Sequence, residues 1–97
     1  MKLTRTQIRH LRGLCHALDP VVMVADKGLS DNVRAEVELA LDSHELIKVK
    51  LRGERDQRQA WADDLVATTG AAAVQQIGQV LCLYRRHPEN PRIQLPR

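Results

Sequence analysis

Arg5, Arg9 and Arg12, with His16, recur at three- and four-residue spacing near the start of this 97-residue chain. On a helix such spacing places all four on one face. Guanidinium groups pair phosphate oxygens through two parallel hydrogen bonds, so a row of them is chemistry for a polyanion. A charged helix face is ordinarily just solvated. This one has no acid within residues 1–18, which also contain Lys2, so intrahelical salt bridges do not account for it. Lys27 and Gly28 stand where a strand gives way to a helix, a position whose amides and dipole favour an anion. Lys48 and Lys50, with Arg52, form a row on one side of a strand. Such a row serves solubility on an edge strand or meets an anion. Arg85 and Arg86 open a basic tail.

Turnover chemistry is not legible in the same way. Cys15 and His16 are adjacent, and helix neighbours point about 100° apart, so they form no nucleophile–base pair. His10, His16, His44 and His87 lack metal-ligand spacing. Neither a P-loop nor a GxGxxG fingerprint is present. The reading is a binding protein, not an enzyme, with no metal, cofactor or small-molecule substrate. Cys15 and Cys82 form no CxxC pair and are expected as free, buried thiols in a reducing compartment. The chain contains no Phe, one Trp and one Tyr. Single-strand readers stack bases on aromatic platforms, so recognition by backbone and shape fits better.

The elements that must position these residues follow from periodicity. Thr4 and Gln7 form a capping box, and Ile8, Leu11, Cys15 and Leu18 recur helically, so a helix is predicted from Thr4 to Leu18. Within it Gly13 points away from the apolar stripe, either packing on a neighbouring element or admitting a ligand to the backbone. Residues 21–24, Val-Val-Met-Val, are apolar on both faces and predict an interior strand. Ser30 caps a helix running to about Ser43, and residues 46–51 alternate as a strand. Asp56 is expected to cap a third helix, with Trp61 and Leu65 inward and Gly70 at its end. Ala73–Ile77 and Val80–Tyr84 flank Gly78-Gln79, a two-residue hairpin.

The order α-β-α-β-α-β-β describes an α/β domain with a four-stranded mixed sheet. Two crossover helices share one face, the last strand is central, and the first helix covers other surface. Residues 1–86 constitute the domain, and 87–97 its Pro-containing tail, expected to be extended or loosely attached. Net charge is +3, distributed as +4 over residues 1–18, −4 over 19–84 and +3 over 85–97. The positive field is therefore local. No run is long enough to span a bilayer and the first residues do not read as a signal peptide, so the expected location is the cytoplasm.

With these residues in place, the chain resembles the bacterial YhbY-like proteins, the single-domain form of the CRM (chloroplast RNA splicing and ribosome maturation) domain. The most specific pieces are Leu11-Arg12-Gly13-Leu14, Gly28-Leu29-Ser30 and the stretch His44 to Lys50. Further ones are Gln76-Ile77-Gly78, Leu83-Tyr84-Arg85 and Ile93 to Arg97. The resemblance implies a fold like the C-terminal domain of translation initiation factor three with an added N-terminal helix. It also implies binding of ribosomal RNA in large-subunit precursors, a role in ribosome assembly, and a GxxG loop as part of the RNA site. Here that loop reads Ala25-Asp26-Lys27-Gly28, so its first glycine is replaced and an acid faces the phosphate.

The expected protein is a monomeric RNA-binding assembly factor. Its RNA-binding residues are Lys2, Arg5, Arg9, Arg12, His16, Lys27, Gly28, Lys48, Lys50, Arg85 and Arg86. A translation-linked factor on mature ribosomes and a protein-interaction module are the alternatives.

Overall fold

The Thr4 side chain accepts a hydrogen bond from the Gln7 amide, and Gln7 Oε1 accepts one from the Thr4 amide. This reciprocal cap starts helix α1, Arg5–His16, in a computed structural model that describes residues 2–97. The helix ends two residues before the expected limit, because Pro20 opens the following strand, β1, Pro20–Val24. Ser30 then caps α2, Asp31–His44, through the Val33 amide. Strand β2, Leu46–Leu51, leads to α3, Arg55–Thr69, and to the hairpin β3, Ala72–Ile77, and β4, Val80–Tyr84. Gly28 and Gly70 both sit at positive φ, where glycine carries no Cβ penalty.

The strands lie in the order β1-β2-β4-β3, with β1 and β2 parallel and β4 antiparallel to both neighbours. As expected, β4 is central, and its residues Leu81 to Tyr84 are all buried. β1 is not interior. It is an edge strand, with Val22 and Val24 in the core while Val21 and Met23 remain 51% and 50% exposed on the other face. Apolar residues on both faces here mark an open surface, not double burial.

Two apolar layers follow from the alternation of β2. Ile47, Val49 and Leu51 pack with Val37 and Leu41 of α2 and Ala62 and Leu65 of α3. On the opposite face Leu46, Cys82 and Tyr84 pack under Leu11 and Cys15 of α1. The third helix begins two residues earlier than Asp56 suggests: Glu54 is its N-cap, its amide donating to Gln57 Oε1 at 2.9 Å. Asp56 instead lies within the first turn, where its charge suits the helix dipole.

Cys15 and Cys82 are buried, as expected, yet they are not free thiols. The structure joins them in a disulfide that fastens α1 to β4. Their separation of 67 residues concealed the pairing, since only the packing of α1 over the sheet brings the two together. No helix among the described residues is long and apolar enough to cross a membrane.

Candidate nucleic-acid interface

Leu11 and Cys15 commit one side of α1 to the sheet, which turns Arg5, Arg9 and Arg12 outward. With Ile8 these three line a shallow cleft of about 300 Å³. Arg12 is partly engaged: its Nε donates to the Val74 carbonyl at 2.8 Å, anchoring the helix against β3. Arg5 and Arg9 form no ion pair among the described residues. Gly13 has open space around it, with nothing within 4 Å of where a Cβ would stand. Of the two explanations for this glycine, close packing on another element is thereby removed. Gly13→Ala is expected to raise stability by about 1 kcal/mol, the helix-propensity difference, measurable by urea denaturation.

Lys48 and Lys50 share the sheet face that carries α1, since they alternate with Ile47, Val49 and Leu51. Lys48 Nζ donates to the His16 carbonyl at 3.4 Å, a cation placed at the C-terminal end of α1. Met23 lies beside Lys50 in register, and Ile77 opposite Val80 is 64% exposed. The part of the sheet that α1 leaves uncovered therefore offers amines beside apolar side chains. Five of the expected residues, Arg5, Arg9, Arg12, Lys48 and Lys50, share this face, with His16 exposed at the edge of the helix.

The loop after β1 is separate from that face. The Gly28 amide donates to the Ala25 carbonyl at 2.7 Å, closing a tight turn that leaves Lys27 exposed. Gly28 has φ +62 and rests on the indole of Trp61, 3.4 Å from the place a Cβ would take. Its need for glycine is thus met by the fold itself. The start of α2 is already capped by Ser30 and carries Asp31 in its first turn. Both features reduce what the helix amides can offer a phosphate, and Lys27 is left as the loop's main attraction.

The tail residues divide. Arg85 is committed within the molecule, donating to Glu38 at 2.8 Å, to Asp42 at 2.9 Å and to the Thr69 carbonyl at 2.9 Å. Arg86 and Lys2 are exposed and lie together beside the returning C-terminal segment, away from the uncovered sheet.

Some basic residues that sequence did not single out also gather at clefts. Arg55 and Arg58 open α3 and line a cleft of about 290 Å³ with Gln76 and Gly78 of the hairpin. Their signal was masked because Glu54 and Asp56 alternate with them along the chain. Glu45 was also missed. It is wholly buried at φ +62, and its carboxylate accepts the amides of His87 at 2.7 Å, Arg92 at 2.8 Å and Ile93 at 2.8 Å. Far from being loosely attached, the tail is held by this residue.

The molecule is a mixed four-stranded sheet with two helices on one face and, on the other, a basic helix beside half-buried lysines, a charge distribution suited to a polyanion. The CRS1/YhbY (CRM) domain matches residues 3–85, and the chain belongs to that family. It is 49% identical to an RNA-binding protein of Haemophilus influenzae over 98% of this chain and 96% of that one. A probable RNA-binding protein of Pseudomonas aeruginosa is 46% identical, over 92% of this chain and 86% of the other. The fold matches the solution structure of SAV1595 from Staphylococcus aureus, described as a candidate RNA-binding protein. The TM-score is 0.83 at 34% identity, covering 98% of this chain and all of that one.

Proposed function

We propose that this protein binds RNA without catalysing a reaction, and that it acts in the cytoplasm, as a monomer, on ribosomal RNA in large-subunit precursors during ribosome assembly. The observation that carries the RNA reading is the acid-free arginine row on the outer side of α1, beside the lysines of β2. Relatives spanning nearly the whole chain are named for RNA binding. The ribosomal destination rests on the family resemblance.

The test has two parts. Tagged protein sedimented with cell extract is expected to travel with large-subunit precursors; migration only with mature ribosomes, or in RNA-free complexes, overturns the assembly reading. Titration of purified protein with single-stranded RNA is expected to be strongly salt-dependent. About four to six phosphate contacts give a log–log slope of about −3 to −4. A flat salt response contradicts electrostatic recognition.

The loop after β1 should contribute modestly. Lys27→Ala is expected to weaken RNA binding severalfold and Asp26→Asn to strengthen it, because the two charges act on a phosphate with opposite sign. Trp61, the single tryptophan, lies under Gly28 and reports on the loop through its emission. Silence of both variants, with no change in tryptophan emission on RNA addition, would reduce the loop to a turn.

A further inference from the structure

The tail that Glu45 holds does more than cover the Leu11, Cys82 and Tyr84 layer. Between it, the first turn of α1 and the end of β4 lies a cleft of about 640 Å³. That volume is within the range of pockets for small organic ligands. Lys2, Arg86, Arg92 and Arg97 line it, and Tyr84 belongs to its lining too. The tail wall is fixed at both ends: Glu45 takes three of its amides, and Gln7 Nε2 donates to the Pro96 carbonyl at 3.0 Å. Arg92 additionally donates to the Ser43 carbonyl, whereas Arg86 and Lys2 form no ion pair among the described residues.

The telling atom is the Tyr84 hydroxyl. Tyr84 is 1% exposed, and its hydroxyl has no hydrogen-bond partner among the described residues. Buried hydroxyls are ordinarily paired, and leaving one unpaired is costly, so each exception calls for a reason. Burial raises its pKa, the nearby Glu45 carboxylate raises it further, and Arg86 partly offsets both. At neutral pH it is therefore a proton donor in search of an acceptor. Glu45 does not accept from this hydroxyl: its oxygens are turned onto the three tail amides.

We propose that the cleft between α1, Tyr84 and the tail is a binding site for one phosphate-bearing nucleotide, with the Tyr84 hydroxyl as donor and Arg86 and Lys2 as counter-charges. The chemistry is shared by a free nucleoside monophosphate and by the 5′-phosphorylated end of an RNA strand. The terminal-RNA source rests on the RNA-binding reading above; the free-nucleotide source does not.

Backbone amide NMR of the whole chain decides among these. The probes are inorganic phosphate, uridine and adenosine monophosphate, and one short RNA with either a 5′-phosphate or a 5′-hydroxyl. Support requires shifts at residues 84–86 and 92–97 with a nucleotide or with the 5′-phosphorylated RNA. Shifts with the monophosphates identify free nucleotides; shifts with the phosphorylated RNA alone identify strand ends. Tyr84→Phe removes only the unpaired hydroxyl, keeps the ring in the core and should leave melting unchanged or raised. It is expected to weaken this binding about tenfold, as is Arg86→Ala. If both RNAs shift α1 equally and no probe moves the tail resonances, the cleft proposal fails while RNA binding stands. If the monophosphates enter the cleft but neither RNA binds, the RNA reading fails and the cleft proposal stands. Tyr84→Phe binding every probe like the unaltered chain overturns the assignment of the hydroxyl.

Discussion

Glu45→Ala is expected to lower the stability of this protein by about 3–5 kcal/mol, because three buried amides lose their charged acceptor together. The carboxylate is wholly enclosed and takes three backbone amides from residues 87, 92 and 93. Without it those donors must either stay buried and unpaired, at about 1–3 kcal/mol each, or be carried to water by release of the tail. Release in turn uncovers the Leu11, Cys82 and Tyr84 layer, because Ile93 and Leu95 pack against it. Urea denaturation measures the loss, and faster amide exchange at Arg92 and Ile93 shows where it arises. Glu45→Gly separates backbone from side chain. At φ +62 glycine relieves strain, so it should be less damaging than alanine by about 1 kcal/mol and still far below the unaltered chain. A glycine variant as stable as the original would mean that the carboxylate contributes nothing.

The same residue sets an acid limit. Burial alone would raise the Glu45 pKa, but the amides of His87, Ile93 and Arg92 outweigh it, helped by the charge of His87, and the net direction is down from 4.5. A carboxylate with a depressed folded-state pKa binds fewer protons than its unfolded counterpart. Its contribution is complete above about pH 4.5 and is lost as pH falls through the lower folded value. The tail should therefore loosen on acidification before the sheet does. Amide exchange at residues 87–93 that stays slow down to the global acid transition would contradict this.

What the sequence revealed and what it hid divide along the range of the interactions. The caps at Thr4 and Ser30, the alternation of β2 and the Gly78-Gln79 turn are local, and all were legible. The burial of β4 on both sides showed in its unbroken apolar run and placed it centrally. The same logic misplaced β1, because Val21 and Met23 are apolar for a surface and not for a core. Nothing local marks Glu45 as structural, since its partners lie more than forty residues onward. Arg85 read as a free base for the corresponding reason: Glu38 and Asp42 reach it only once α2 lies across the sheet. The α1 arginines were legible because a helix needs only spacing to align a face.

That alignment also shapes the strongest expected effect on binding. Replacing both Arg5 and Arg9 with glutamate should reduce RNA affinity roughly thirty- to a hundredfold at low salt, through two lost phosphate contacts and two new repulsions. The log–log salt slope should become shallower by about 1.4, since each single-strand contact contributes about 0.7. Stability should move the other way or not at all. Arg5 is the first residue of α1, whose opening turn has no acid, so its charges oppose the positive end of the helix dipole. Glutamate there favours the helix, and both positions are exposed away from the Leu11 and Cys15 stripe. Residues that a fold would do better without, gathered on one accessible face, are most simply explained by what that face must hold. Arg12 is left intact in this variant because its Nε bond to Val74 would mix a packing loss into the result. A double variant that melts no lower and binds RNA as tightly as the original chain would remove α1 from the interface.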